Sequence, residues 1–269
     1  MPGPRFTDIR RFDSIDSTNR YLLDEARGGA PEGVVAVADH QSAGRGRLGR
    51  SWEAPPGTNL LLSVLLRPDL PAGHRHLASA AVALAGSDAV EAVTGLRLGI
   101  KWPNDLIGPD GRKVAGVLAE ADVADPSARG GRPSAPIVVG IGMNVNWPAA
   151  DSDLPPDLVG SATSLHRLVG RTVDRSRVLE ALLGALEPRA ADLGSESGRA
   201  RQSADFRARC TTIGTSVRVE LADDRFEGRA TDLTAEGHLV VVVGDRTRTV
   251  VSGDVVHVRP GDRPSPPAV

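Results

Sequence analysis

LGIKWPNDLIGPDGRKVAGVLAEAD, residues 98–122, decides how the first part of the chain folds. Gly108-Pro109-Asp110-Gly111 is a turn signal, so the apolar stretches on either side, LGIKWPNDLI and KVAGVLAEAD, read as a pair of strands joined there. Of the 32 basic residues only two are lysines, Lys101 and Lys113, and they flank this turn. The abundance of arginine is a bias of composition. The two exceptions raise the question of what chemistry here requires a compact ammonium rather than a planar guanidinium.

Outward from this pair, GVVAVADH (33–40), NLLLSVLLRP (59–68) and IVVGIGMNVNW (137–147) read as further buried strands. Asp16-Ser17-Thr18-Asn19 precedes RYLLDEA, a helix with Ser17 or Thr18 at its N-cap and Gly28-Gly29 and Pro31 at its end. An alanine-rich, largely buried helix is expected over 74–93, another near 174–193 and a weaker one near 201–209. DPSARGGRPSAP (125–136) reads as a polar loop. These elements predict an α+β domain over 1–210, a mixed sheet with helices packed on it. From about residue 213, VRVEL, RFEGRATDL, HLVVVV, TRTVVS and VVHV are short strands separated by tight turns. They suggest a small β-barrel of SH3-like size over 211–259, followed by a Pro- and Ser-rich disordered tail at 260–269.

Composition excludes several classes. Lys+Arg 32 against Asp+Glu 34 gives a net charge of -2, so no global field recruits nucleic acid or anionic lipid. No apolar run is read as a membrane span, and the opening MPGPRFTDIRRFDS lacks the apolar core of a secretory signal. A single cysteine, Cys210, rules out an internal disulfide framework and fits a reducing compartment, which makes the expected location cytoplasmic.

The stretch AGRGRLGRSW (43–52) imitates two nucleotide motifs. Gly44-x-Gly46-x-x-Gly49 matches the dinucleotide fingerprint, and Gly44 to Ser51 imitates a P-loop. Both need a helix directly afterwards, and Pro55-Pro56-Gly57 forbids one. What remains is a loop with Arg45, Arg47 and Arg50 among small residues, open to three readings: a solvated basic loop, an RG-type nucleic-acid segment, or a phosphate-gripping loop. In the last, glycines admit close approach of backbone and guanidinium forks match phosphate oxygens.

Four segments in order, DSTN (16–19), HQSAGRGRLGRSW (40–52), KWPNDLI (101–107) and KVAGVLAE (113–120), together resemble the catalytic domain of biotin–protein ligases. GIGMNVN (140–146) is similar to a further segment of that family, and the C-terminal strands resemble its small SH3-like domain, so the likeness covers about residues 10–258. The resemblance implies an ATP-dependent, AMP-forming biotin–[biotin carboxyl-carrier protein] ligase. Biotin and ATP would give biotinyl-5′-AMP and pyrophosphate, and the biotinyl group would pass to a lysine of the biotin carboxyl-carrier domain of acetyl-CoA or acyl-CoA carboxylase, with Mg2+ offsetting the phosphate charge.

By the same resemblance, Ser17, Thr18, Asn19 and Gln41 would bond the ureido ring of biotin, whose two N–H donors and one strong acceptor suit them. Gly44 and Gly116 would let backbone approach the ligand, with Gly46 in the same loop, Arg45 at the ring and Arg47 at the phosphate. Leu62, with Ser63 or Val64, would border the biotin tail. Lys113 would hold the biotin carboxylate and then the anhydride, and Lys101 would reach the α-phosphate side. Arg50, Asn104 and Asn144 would serve the nucleotide, Asn144 at the adenine, and Trp52 would cover the adenylate. Asp105 would hold magnesium or accept a proton from the incoming lysine. The loop 41–53 would be mobile without ligand and order over the adenylate.

Some members of this family carry an N-terminal helix-turn-helix and act as repressors. Only fifteen residues precede Asp16, so the expectation is a ligase without a repressor function, with no DNA or membrane partner. A homodimer stays open. Rival readings are a lipoate ligase or octanoyltransferase of the same fold, and a non-enzymatic RNA-binding protein using the arginine loop and the small barrel. The barrel segment holds one aromatic, Phe226, and many acids, which argues against RNA. The chain is not itself a biotin acceptor, since neither lysine has a methionine neighbour.

Overall fold

The computed structural model describes residues 3–121, 135–221, 223–251 and 253–257. Most of the expected polar loop at 125–136 and the expected tail at 260–269 lie outside the described residues.

A seven-stranded mixed sheet forms the first part. Its strands are β1 (Ile9–Phe12), β2 (Val35–Ala38), β3 (Leu60–Leu66), β4 (Gly99–Lys101), β5 (Asp105–Ile107), β6 (Lys113–Ala121) and β7 (Ile137–Met143), in the order β1-β2-β3-β7-β6-β5-β4. Only β1 and β2 run parallel; every other neighbour is antiparallel. The stretch 98–107, expected as one strand, is two: Trp102-Pro103-Asn104 turns the chain, and β4 folds back on β5 with Lys101 opposite Asp105. Pro103 cannot donate to a ladder, which is why the strand breaks there.

Alternation along the strands separates two faces. Leu60, Leu62, Val64 and Leu66 of β3 and Ile137, Val139, Ile141 and Met143 of β7 point into the main core. That core is closed by α2 (His76–Thr94) and α4 (Arg175–Asp192), with α5 (Glu196–Arg209) beside them. α2 is long and apolar enough to cross a membrane by length and composition, which the reading of the sequence missed, yet most of it is buried inside the molecule. It ends where Gly95 takes the left-handed φ of 76° and its N–H bonds the Glu91 carbonyl. α5 begins earlier than expected, capped by Ser195, and a five-residue helix α3 (Leu165–Val169) was not foreseen. On the opposite face, α1 (Thr18–Arg27) places Leu22, Leu23 and Ala26 on Val34, Ala36, Leu65 and Val138.

β8 (Ser216–Glu220), β9 (Arg225–Leu233), β10 (Leu239–Val243), β11 (Arg246–Val250) and β12 (Asp254–His257) form a second, antiparallel sheet ordered β11-β10-β9-β8-β12. Among the described residues no ladder joins β11 to β12, so the expected barrel is a five-stranded sheet rather than a closed cylinder. Its inward residues, Val217, Val219, Ala230 and Val241, belong to the same apolar core as the first sheet. The seam is pinned by Trp102, whose indole N–H donates to the Gly237 carbonyl at 2.9 Å and whose backbone N–H donates to Thr212 Oγ1 at 2.9 Å. Cys210, buried at the same seam, bridges to Ile100.

Candidate active site

α1 covers only part of its face of the main sheet. Beyond it, β6 and β7 present Gly116, Leu118, Gly140 and Gly142, and the register sets Gly116 opposite Gly142 and Gly140 between Leu118 and Ser63. Glycine weakens a strand interior, so a run of it on one face marks a place where something must approach the backbone closely. The space left is a cavity of about 370 Å³.

The loop 41–53 roofs this cavity. It closes on itself through Trp52 N–H to Gly44 O at 2.9 Å and Gly46 N–H to Arg50 O at 2.6 Å. A side chain on Gly44 would overlap the Trp52 carbonyl, so Gly44 is required by the loop's own closure and is absent from the cavity wall, contrary to its expected approach to ligand. At the tip, Leu48 takes a φ of 56°, a strained value for a leucine, and is 70% exposed. The Trp52 ring lies against the glycine floor: side chains on Gly116 or Gly142 would press into it. Its Nε1–H is buried and makes no hydrogen bond among the described residues.

One end of the cavity is polar and neutral. Ser17 caps α1 by accepting from the Arg20 N–H. Gln41 Oε1 accepts from the Thr18 N–H at 2.8 Å and from Thr18 Oγ1 at 3.0 Å. Asn19 is held within the protein. Its Oδ1 accepts from Ser63 Oγ at 2.6 Å, and its Nδ2 donates to Leu118 O at 3.2 Å and Glu120 Oε2 at 2.8 Å. The absence of a side chain on Gly140 is what admits it. Asn19 therefore pins α1 to the sheet while it lines the cavity, both of its N–H groups being spent within the protein. Glu120, which the sequence reading did not single out, also holds Arg45 at 3.1 Å.

The other end is charged. Lys113 Nζ sits 2.8 Å from Asp105 Oδ1 and 5.4 Å from the centre of the Trp52 ring. Lys101 faces the same carboxylate from β4; burial pushes its ammonium below the ordinary lysine range, Asp105 opposes that shift and Lys113 adds to it. Burial likewise lowers Arg47, against the pull of Asp254 and Asp105. These cations carry an uncompensated desolvation cost that an entering anion would relieve. Arg47 donates to Asn104 Oδ1 at 3.2 Å while Asn104 Nδ2 donates to Val117 O at 2.7 Å, so Asn104 is a bracket for Arg47.

Most of the residues expected at a site do line this cavity: Ser17, Thr18, Asn19, Gln41, Arg45, Gly46, Arg47, Arg50, Trp52, Lys101, Asn104, Asp105, Lys113 and Gly116. Ser63, on the cavity face of β3, lines it, as does Leu62 beside it, and Val64 does not. Asn144 reaches the wall, where its Oδ1 accepts from Asn59 Nδ2 at 3.1 Å and its Nδ2 donates to Thr163 O at 3.0 Å, so half of the amide's bonding capacity is spent within the protein. Asp105 is paired with Lys113, and among the described residues no group of three His, Cys, Asp or Glu side chains could hold a metal. The donor set therefore does not fit a resident protein-bound magnesium. Glu120, Gly140, Gly142 and Asp254 are additions that the structure makes. The two glycines were visible in GIGMNVN; nothing in the sequence marked Asp254.

Residues 11–144 match the biotin/lipoate A/B protein ligase family, and residues 212–258 match the biotin protein ligase C terminal domain. The chain is 41% identical over 249 residues to a biotin–[acetyl-CoA-carboxylase] ligase of Mycobacterium tuberculosis, covering 90% of this chain and 86% of that one. It is 31% identical over 243 residues to the bifunctional ligase/repressor BirA of Bacillus subtilis, covering 90% and 72%. Among solved structures it resembles the biotin protein ligase of Aquifex aeolicus in complex with biotin and ATP, with a TM-score of 0.77 and 26% identity over 95% of this chain and all of that one.

Proposed function

The chain belongs to the biotin protein ligase family, and from that premise we infer how its cavity performs the reaction. Biotin is activated with ATP to biotinyl-5′-AMP, and the biotinyl group then passes to a lysine of the carrier domain of a biotin-dependent carboxylase. In the first step a carboxylate oxygen attacks the α-phosphorus and pyrophosphate leaves. In the second the carrier amine attacks the acyl carbon, AMP leaves, and the amine gives up a proton.

The polar end suits the ureido ring. Gln41 keeps its Nε2–H groups for the ring carbonyl, since its Oε1 is taken by Thr18, and the hydroxyls of Ser17 and Thr18 offer lone pairs to the ring N–H groups. Asn19 and Glu120 act one step back, holding α1 and Arg45 in place. The biotin tail runs beside the Trp52 ring, which rests on Gly116 and Gly142, and past Leu62 and Ser63.

Two anions must meet at the charged end, so fixed cations offset their repulsion. Lys113 touches the biotin carboxylate and an α-phosphate oxygen together, Lys101 supports the phosphate side, and Arg47 and Arg50 take the remaining phosphates. Magnesium, carried on ATP as part of that substrate, would supply further neutralisation of the phosphate charge. Asp105 keeps both ammonium groups aimed at one spot and is placed to take the proton from the carrier lysine. Trp52 and its loop exclude water from the acyl-adenylate, which would otherwise hydrolyse.

The carrier is the biotin carboxyl-carrier domain of acetyl-CoA or acyl-CoA carboxylase, and the reaction belongs in the cytoplasm, where ATP and that carrier meet. The observation that carries this reading is the Lys101–Asp105–Lys113 cluster at one end of a glycine-floored cavity whose other end is polar, with Arg45 there neutralised by Glu120. Biotin- and ATP-dependent labelling of a carrier domain tests it, with biotin-dependent exchange of pyrophosphate into ATP measured alongside and Lys113→Ala as control. No labelling and no exchange with the intact protein would overturn it, and exchange driven by lipoate in place of biotin would redirect it.

A further inference from the structure

The arginine loop is tied down from the second sheet. At the start of β12, Gly253 O accepts from Arg47 Nη2 at 3.3 Å, and both carboxylate oxygens of Asp254 lie 2.6 Å from Arg50 Nη2. Asp254 lines the cavity. Its charge is also felt by Arg47 and Lys101, opposing in both the effect of burial. One carboxylate from the C-terminal sheet thus faces three cations of the first domain.

The charge of the cavity is informative. Arg45, Arg47, Arg50, Lys101 and Lys113 contribute five positive charges, Glu53, Asp105 and Asp254 three negative ones, and the difference, five minus three, leaves two positive charges. Asp105 sits between the lysines, where the carboxylate and α-phosphate meet in the proposed reaction. Asp254 sits on an arginine that the same reading gives to the nucleotide phosphates. A carboxylate and a phosphate present similar oxygen pairs to a guanidinium, so the two compete for one fork.

We propose that Asp254 is a positioning residue that stands in for a nucleotide phosphate: it holds Arg50 and the loop until ATP displaces it, and so sets the affinity for ATP. The proposal rests on the ligase reading above. A binding-competent state that is only partly populated weakens apparent affinity in proportion, and removing the competing contact removes that handicap. Exposed ion pairs bias such an equilibrium modestly, so Asp254→Asn should lower the KM for ATP about two- to fivefold. The KM for biotin should stay at the wild-type value, and Asp254→Glu, which keeps the anion, should restore the wild-type KM for ATP.

Trypsin cleavage within 45–50 provides a second measurement. Without nucleotide, Asp254→Asn should be cut faster than wild type at these arginines, and ATP should bring both to the same slow rate. Asp254→Ser, tested in parallel, should shift both readouts in the same direction. An ATP KM that is unchanged or raised in Asp254→Asn and Asp254→Ser, or cleavage rates without nucleotide equal to wild type in those two variants, overturns the proposal. Wild-type protein inactive with biotin and ATP overturns instead the ligase reading on which it rests.

Discussion

Gly142→Ala is the sharpest perturbation the structure offers, because it adds one carbon and no charge. A Cβ at 142 would lie 2.5, 2.8 and 2.9 Å from three atoms of the Trp52 indole. Carbon atoms in comfortable contact stand about 3.5–4.0 Å apart, so the ring must retreat by about 1 Å. Gly142 is not among the glycines with positive φ, and its backbone accepts alanine without strain. Such an exchange raises stability by about 0.4–1 kcal/mol through the unfolded chain, which for a protein of this size keeps Tm within about 4 °C of wild type. A displacement of about 1 Å at a reacting centre is worth about 100-fold in rate. The variant should therefore melt like wild type and exchange pyrophosphate about 100-fold more slowly, as measured by initial rates over a range of biotin concentrations beside a thermal melt. Wild-type kinetics would refute the idea that the glycine floor positions Trp52 and ligand. A fall in Tm by many degrees would instead make Gly142 a packing residue.

Other consequences are as direct. Lys113→Arg keeps the charge but replaces a point donor with a planar fork, so kcat should fall by about 100-fold or more, and Lys101→Arg by less, about tenfold; a Lys113→Arg variant at wild-type rate in the exchange assay would remove Lys113 from the centre. Glu120→Gln weakens the hold on both Asn19 and Arg45, and should raise the KM for biotin about tenfold while leaving that for ATP alone; equal effects on both would speak against a role at the ureido end. His76 is packed against Gly237 and faces His74, His238 and Glu236, and its folded pKa is pushed down to about 4, chiefly by burial. The unfolded chain then binds the extra proton between about pH 6.5 and 4, so stability is fully present above pH 6.5 and lost as the pH falls through that window. Allowing for partial exposure, His76 should account for about 1 kcal/mol between pH 7 and 5 in urea titrations. His257, also lowered to about 4 by burial, acts in the same direction, so His76→Gln should reduce the slope without abolishing it. An unaltered slope in His76→Gln would show that the loss arises elsewhere.

Local rules reached most of this architecture. Alternation and turn residues placed most strands of both sheets, though β1 carried no such signal and β4 and β5 read as one, and Ser17 is the cap of the two candidates at that helix start. Asp105 and Lys113 meet across the 108–111 turn, whereas Lys101 joins them through the turn at 102–104 that the apolar pattern concealed. What local rules could not supply is how donors and acceptors saturate one another. Asn19 and Asn144 look like ligand contacts in a line of letters, and only the arrival of Ser63, Leu118 and Glu120 at one and of Asn59 and Thr163 at the other shows how much of each amide is engaged within the protein. Gly44 was misjudged for the same reason: its neighbour is the carbonyl of Trp52, eight residues along the same loop. Asp254 was invisible because its significance depends on a second sheet docking beside the arginines, a contact made across 204 residues of chain.

The hairpin of β4 and β5 serves two masters in alternate residues. Lys101 and Asp105 look into the cavity, while Trp102 between them reaches back to Gly237 and Thr212 in the other sheet. A shift of one residue would exchange these allegiances, sending an ammonium into an apolar seam and an indole toward the phosphates. The stretch 99–107 therefore tolerates neither an inserted nor a deleted residue, however conservative its chemistry, and its length is as much a part of the site as its side chains.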